Sequence, residues 1–435
     1  STMKPMTMTM TMTMTIISLK HQLSQFLCPE FITRIARRTG FLKRERTIEP
    51  PSLVLSLIAA LSKGNCHAIA DLHRQFNGMS LSEQQFVAYK PFHNQLRKPE
   101  FAQWMQRLTQ FAIARFVREL KSTLPRKLDG FDDILLQDGS SFRVHDGLAD
   151  VFPSRFPTHP AAIECHMTLS LKHQMPKTMT ITADTASERA YLPKTELMRN
   201  KLLLADAGYV DFNYFSQLSE HGGSFIVRGG KNLNPVIIEA RNGQGRLLPK
   251  LAGLKLKEID RKTNRSEVLD LKIKRGADEF RLVRRWFAEE KRFCIWVTNL
   301  PATEWSADEI MMIYRCRWQV ELLFKELKSD TNWRRFATSQ QAIMEGLVWA
   351  SLLALIIRRY IAMQSLPSAS VYKAGKNVDV WLLPILEAYI HQAWSEITVR
   401  LEWALLYISK NAKKAQQRKS KKTRTLDGIF ERLSS

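Results

Sequence analysis

The sequence contains no C-x-x-C pair and no two histidines at the spacing of a helical zinc motif. Its five cysteines, Cys28, Cys66, Cys165, Cys294 and Cys316, are scattered and odd in number. That usage argues for reduced thiols in a cytosolic compartment and against a structural zinc site. A membrane span is also missing. The longest apolar run, residues 346–357, is closed by Glu345 and Arg358 and is too short to cross a bilayer. Acidic residues are scarce, 42 against 65 lysines and arginines, which leaves a formal charge of +23. A field of that sign attracts polyanions. With the membrane set aside, the expected partner is nucleic acid.

The chain is long enough for several domains, and its texture changes along its length. Residues 6–15 alternate Met and Thr without a break. A low-complexity terminal run without the charged start and apolar centre of a signal peptide is expected to be disordered, giving a tail over 1–18. Residues 19–126 read as helical, with helices at 52–61, 66–76 and 100–121 and another capped by Ser80 and Glu83. Short helices joined by tight turns suit a helix-turn-helix DNA-binding domain, with Lys90, His93, Asn94, Arg97 and Lys98 as candidate DNA contacts. A plain helical bundle with a solvated basic face is the simpler alternative.

From 127 to 228 the pattern becomes mixed α/β. Strands are expected at 133–137, 142–145, 161–173, 177–183, 201–205 and 224–227, and helices at 186–200 and 211–218. Residues 229–302 read as a β-rich insertion, with strands at 236–240, 254–260, 267–273, 279–286 and 292–299. A second α/β part follows over 303–365, then a helical region over 366–409 and a basic tail over 410–435. Residues 410–424 hold eight basic residues and no acidic one. That segment is expected to be disordered when free and to bind polyanions without sequence preference.

The most informative stretch is 306–329, SADEIMMIYRCRWQVELLFKELKS. Ser306 and Glu309 form an S-x-x-E capping box. Read as one helix, it places Arg317, Glu321 and Lys328 at roughly −60°, −20° and −40° from Tyr314, at about 100° per residue. One carboxylate is thereby framed by two cations and a phenol, while Ile313, Val320, Leu323, Phe324 and Leu327 face a core. Upstream, Asp138 and Asp206 each end an expected strand, in D-G-S and D-A-G-Y turns. Such turns are often mere punctuation, but strand-Asp, strand-Asp, helix-Glu with flanking cations is a set suited to oxygen-loving metal ions and phosphates.

These residues carry a resemblance. The chain resembles DDE transposases of bacterial insertion sequences, of the insertion-sequence-four type, whose Y-x2-R-x3-E-x6-K signature is matched at Tyr314, Arg317, Glu321 and Lys328. Asp138–Ser140 and Asp206–Tyr209 match the family's other two blocks. The resemblance spans 131–333 and, more loosely, the N-terminal region. It implies a multidomain protein with a ribonuclease H-like α/β catalytic core interrupted by the β-rich insertion, an N-terminal helical DNA-binding domain and a C-terminal helical region. It further implies that Asp138, Asp206 and Glu321 hold two Mg2+ ions, with Mn2+ able to substitute, and that Tyr314, Arg317 and Lys328 contact DNA phosphates. The implied activity is cleavage and strand transfer of element ends, cut-and-paste through a hairpin. Double-stranded DNA, both terminal repeats and target, would be the partner of a homodimer in the bacterial cytoplasm, associated with the nucleoid. In hairpin-forming relatives an insertion Trp stacks a flipped base. Trp296 is the nearest candidate, offset from the family position, with core packing as its alternative and Trp286 weaker still. Two other readings stay open: a nuclease of the same fold without strand transfer, and a non-catalytic DNA-binding protein derived from a transposase.

Overall fold

The structure is a computed structural model that describes residues 10–330, 337–365, 368–415 and 425–435. Along the chain, six helices come first: α1 (Met10–Leu27), α2 (Pro29–Arg38), α3 (Pro50–Lys63), α4 (Ile69–Gly78), α5 (Tyr89–Leu96) and α6 (Pro99–Glu119). Strands β1 (Asp133–Arg143), β2 (Ala162–Ser170), β3 (Met175–Ala183) and β4 (Lys201–Ala205) follow, then α7 (Phe212–Glu220) and β5 (Ser224–Arg228). Next come β6 (Val236–Asn242), the short α8 (Leu256–Ile259), β7 (Leu269–Arg275), β8 (Asp278–Phe287) and β9 (Arg292–Thr298). The chain continues with α9 (Ala307–Tyr314), α10 (Trp318–Asp330), α11 (Gln341–Met363), α12 (Val371–Ala374), α13 (Val378–Trp381), α14 (Leu383–Ile390), α15 (Trp394–Asn411) and α16 (Leu426–Ser434).

These elements fall into two compact units. The first gathers the described residues up to Leu120, with Ser141–Ile163 and those from Leu323 to 415. It is built on α3, α6 and α11. Prolines at the first turns of α3 and α6 start helices without losing a needed N–H, and Gly64 ends α3 in the left-handed conformation at φ +71°. Helix α11 passes a length and hydropathy test for a membrane span, yet 94% of its most apolar window is buried within the protein. Its partner is α6. Gly346 lacks the Cβ that would strike the Phe101 ring, Thr109 Oγ1 donates to the Trp349 carbonyl at 3.1 Å, and Phe116 stacks on Tyr360 at 4.3 Å.

The second unit gathers Lys121–Ser140, Glu164–Leu322 and the described residues from 425 onward. Its frame is one mixed nine-stranded sheet in the order β3-β2-β1-β4-β5-β9-β8-β7-β6. Strands β1, β4 and β5 run parallel to one another, while β9 runs antiparallel to β5 and each later pair out to β6 is antiparallel. The strands after 229 therefore extend the same sheet rather than closing on themselves. Aromatic packing of Phe215 on Phe225 at 4.0 Å fixes α7 to β5.

Several local expectations are corrected. Residues 10–15 of the Met–Thr repeat lie in α1, whose Ile16, Leu19, Leu23 and Phe26 are buried at helical spacing, so the helix crosses the expected boundary at 18; the earlier part of the repeat lies outside the described residues. The separate strands at 133–137 and 142–145 are one strand, β1, that runs through Asp138-Gly139-Ser140. No helix forms over 186–200. Two 3-10 turns, Glu188–Tyr191 and Thr195–Leu197, flank Pro193, which cannot sit inside a helix and holds its predecessor extended. The strand expected at 254–260 is α8. In the basic tail, residues 410–411 end α15, 416–424 lie outside the described residues, and Leu426–Ser434 is helical.

Candidate active site

The register of two neighbouring parallel strands sets the position of the two aspartates. Leu136 of β1 lies opposite Leu204 of β4. Two residues further on each chain stand Asp138 and Asp206, near enough for the Asp206 charge to act on Asp138. Asp138 is held by Gly139, whose N–H donates to Oδ1 at 3.0 Å. Asp206 stands just past β4 as the cap of the 3-10 turn Ala207–Tyr209, and its Oδ1 accepts from Gly208 N–H at 3.0 Å.

Glu321 arrives from the helical signature. The capping box forms as expected: Ser306 Oγ accepts from Glu309 N–H at 3.2 Å, and Glu309 accepts from Ser306 N–H at 3.0 Å. The single helix does not. After α9 ends at Tyr314, the chain tightens into a 3-10 turn over Arg315–Arg317 before α10 begins. At about 120° per residue, that turn advances Arg317 by roughly 60° more than α geometry would. Arg317 is thereby brought over Tyr314, which is 8% exposed, while Ile313, Val320, Leu323, Phe324 and Leu327 are buried as the periodicity required.

Arg317 is the hub. Its guanidinium ion-pairs with Glu321, lies 3.6 Å from Asp138 Oδ2 and sits 5.7 Å from the centre of the Tyr314 ring. Burial opposes its charge, but Tyr314, Asp138, Glu321 and Asp206 outweigh burial and raise its pKa. Three carboxylates share this one cation. Asp138 shows the consequence: burial first, then the charges of Asp206 and Glu321, push its pKa up to about 7 although Arg317 pulls it down. Burial likewise pushes the Tyr314 phenol up to about 12.

One residue of this site, Glu164, was missed by sequence reasoning, and Tyr209 was read only as part of its D-A-G-Y block. Glu164, on β2, is fully buried with its carboxylate against Gly139, at the place where any Cβ would stand. Its signal was present: it is a carboxylate in a strand whose every position is buried. Tyr209 is 1% exposed, and its hydroxyl has no hydrogen-bond partner among the described residues. Burial, and then Asp138, Glu188, Asp206 and Glu164, raise its pKa.

The donor set suits a hard divalent cation, since all three expected ligands are carboxylates and the raised Asp138 marks negative charge that a cation would relieve. Among the described residues no three such groups already converge on a cation-sized point, and Arg317 bridges Asp138 and Glu321 instead.

Residues 129–357, more than half of the 435, match the family described as the transposase DDE domain. The chain belongs to that family. Among its relatives, the putative transposase InsL for insertion sequence element IS186A of Escherichia coli (strain K12) is 32% identical over 99 residues, 22% of this chain and 27% of the relative. The chain thus matches about a quarter of that relative's length. The transposase for insertion sequence element IS231E of Bacillus thuringiensis subsp. finitimus is 21% identical across 94% of both chains. Among solved structures, piggyBac transposase in a synaptic complex with hairpin DNA aligns over 96% of this chain and 84% of its own, at 11% identity and a TM-score of 0.43.

As a member of the transposase DDE-domain family, the chain brings Asp138, Asp206, Tyr314, Arg317 and Glu321 together in one unit. Lys328, two helical turns beyond Glu321, holds its ammonium 4.6 Å from the Phe142 ring centre. Trp296 is 5% exposed on β9, edge-on to Phe287 at 6.1 Å and to Tyr314 at 6.2 Å. Trp286 is half-buried and packs on Phe293. In the N-terminal helices Arg97 is exposed. Lys98 turns inward: its Nζ donates to Gln95 at 2.7 Å and to the Phe41 carbonyl at 3.3 Å, and lies 4.8 Å from the Phe41 ring centre.

Proposed function

We propose that the protein is a DNA transposase that binds the ends of its element and carries out strand cleavage and strand transfer, with β1, β4 and β5 forming a ribonuclease H-like core. The observation that supports this most is Arg317 linking Asp138 to Glu321, with Asp206 close to Asp138. One aspartate within β1, one just past the neighbouring parallel β4 and a helix-borne glutamate form the acidic set that phosphoryl transfer needs.

Asp138, Asp206 and Glu321 would hold two Mg2+ ions, replaceable by Mn2+, which supply charge for the nucleophile and the leaving oxygen. Arg317 holds Asp138 and Glu321 in place and offers a fixed cation to the charge-rich transition state. Tyr314 orients the guanidinium from below, and Lys328 offers a second cation along the strand. The N-terminal helices up to 126, with Arg97 at their surface, are assigned to element-end binding, whereas Lys98 secures the start of α6. The segment 229–302 is assigned as the insertion, 303–365 as the rest of the core, 366–409 as a helical region and 410–435 as a basic tail. A homodimer on paired DNA ends follows from the reaction, as does work in the bacterial cytoplasm. The hairpin route, with Trp296 stacking a flipped base, requires the ring to leave its contacts with Phe287 and Tyr314.

The test is a purified-protein assay with Mg2+ and duplexes carrying the element's own terminal repeats. Nicked ends joined to target DNA support the reading. Hydrolysed strands that never join favour the nuclease, and binding without cutting favours the non-catalytic protein.

A further inference from the structure

The second unit contains a cavity of about 650 Å3 beside the Asp206 turn, and the acidic site described above does not use it. Ala207, next to Asp206, forms part of its wall. Three cations reach it from separate elements: Arg189 from the 3-10 turn before β4, Lys231 from the loop after β5, and Arg275 from the end of β7. All three are exposed, and none pairs with a carboxylate among the described residues. Arg189 Nε donates to the Gly208 carbonyl at 3.4 Å, which ties this cation to the turn that presents Asp206. The Arg275 guanidinium lies 5.2 Å from the Phe212 ring centre. Two acids also line the wall, Asp211 accepting from Tyr214 N–H at 3.1 Å and Asp278 accepting from Ser216 Oγ at 2.6 Å, so the three cations leave the cavity with one positive charge in excess. Across Gly230 and Lys231 lies a second cavity of about 90 Å3, lined by further cations, among them Lys257 and Arg292.

Separate cations around one concave cavity suit a chain of phosphates better than one compact anion, because fixed charges at intervals match a repeating backbone. On the reading that this protein cuts DNA, we infer that the Arg189–Lys231–Arg275 cavity grips the phosphodiester backbone of the DNA strand that leaves the scissile position at Asp206. Its role is positioning. It holds the strand in line with the carboxylates and does not touch the reacting atoms.

The experiment compares two doubly substituted full-length proteins. One is Lys231→Ala/Arg275→Ala. The other is Lys272→Ala/Lys274→Ala, which removes the same charge from β7, where alternation puts those side chains on the opposite face of the sheet from Arg275. Affinity for a duplex with a single-stranded tail is measured against salt, and cleavage of element ends is followed as kcat and KM. The cavity variant should lower the slope of log affinity against log salt by about 1–2, at 0.7–0.9 per lost phosphate contact. It should also raise KM several-fold with kcat within about twofold, while the control leaves both near wild type. Lys231→Ala alone, in a loop, should give about half the slope change and guards against a folding defect in the double variant. Equal slopes for the two double variants, or an unchanged slope in the cavity variant, overturns the inference. Failure of the wild-type protein to cut any end would instead overturn the transposase reading, and the salt slopes would still decide the cavity.

Discussion

Glu321 and Glu326 stand on the same helix, α10, yet their surroundings have opposite charge balance. Glu326 is 2% exposed and accepts from Arg358 at 2.7 Å and from Arg359 at 2.9 Å, one carboxylate between two guanidinium groups. Glu321 belongs to the reverse arrangement, in which, among the described residues, Arg317 serves both Glu321 and Asp138 with Asp206 close by. At about 140° apart around the helix, the two glutamates serve different neighbours. A buried acid held by two guanidinium groups is complete as it stands. Two acids on one guanidinium are less well served, and burial first, with Asp206 and Glu321 adding to it, pushes the Asp138 pKa up to about 7. Acidic surplus that weakens a fold is retained where chemistry needs it, and that contrast supports the role proposed for the second cluster.

The sharpest way to break this comparison is to remove the acids one at a time. Asp138→Ala, Asp206→Ala or Glu321→Ala should lower cleavage on the order of 10^3-fold or more, the scale for losing a member of a catalytic set. End binding should survive, because phosphate contacts elsewhere remain. Near wild-type cleavage by any of the three would take that residue out of the site. Glu326→Ala should do the opposite. It leaves Arg358 and Arg359 buried without their acid and should cost about 3–5 kcal/mol of stability, read as a fall in melting temperature and denaturation midpoint. A Glu326→Ala protein as stable as wild type would erase the distinction between the clusters.

A smaller effect tests the cost of the buried Asp138 charge. The folded pKa of Asp138 is pushed up to about 7, so the native state binds a proton more tightly there than the unfolded chain does. For an acid shifted that way, the penalty is absent below the unfolded pKa of about 4, grows between about 4 and 7, and is complete above that range. Asp138→Asn should therefore be more stable than wild type by about 1–3 kcal/mol at pH 8, with the difference fading toward pH 4. Urea denaturation at the two pH values reads it. A gain that is equal at both would refer the effect to packing rather than charge.

Much of this site was legible because its chemistry is local in sequence. The S-x-x-E cap, the buried stripe from Ile313 to Leu327 and the strand that ends just before Asp206 all follow from spacing. What was hidden depends on neighbours distant in the chain. Asp138-Gly139-Ser140 reads as a turn, yet β1 runs through it because Gly139 leaves space for Glu164 on β2. The pairing of β1 with β4, which brings Asp206 near Asp138, is a property of strand order, which residue patterns do not contain. The tight turn at Arg315–Arg317 has no proline or glycine to announce it, so the placing of Arg317 over Tyr314 could not be anticipated. At 186–200 the opposite holds: Pro193 was visible, and its effect on the helix was underweighted.

The least disruptive test concerns the aromatic wall next to the acidic cluster. Trp296 contacts Tyr314, which in turn lies against Arg317, and its indole N–H is buried without a hydrogen-bond partner among the described residues. Trp296→Phe keeps an aromatic ring and removes an unsatisfied donor, so stability should change by less than about 1 kcal/mol, whereas Trp296→Ala should cost about 3–5 kcal/mol. If the ring only packs, both variants keep the wild-type ratio of nick to hairpin products, and Trp296→Ala loses all activities together. If it stacks a flipped base, stacking worth roughly 1–3 kcal/mol per base disappears from the hairpin step of Trp296→Ala. Nicking by the remaining folded protein would then continue, and Trp296→Phe would fall between the two. A product ratio unchanged in both variants, measured beside their melting temperatures, would assign Trp296 to the core and leave the acidic surplus as the only functional feature of this wall.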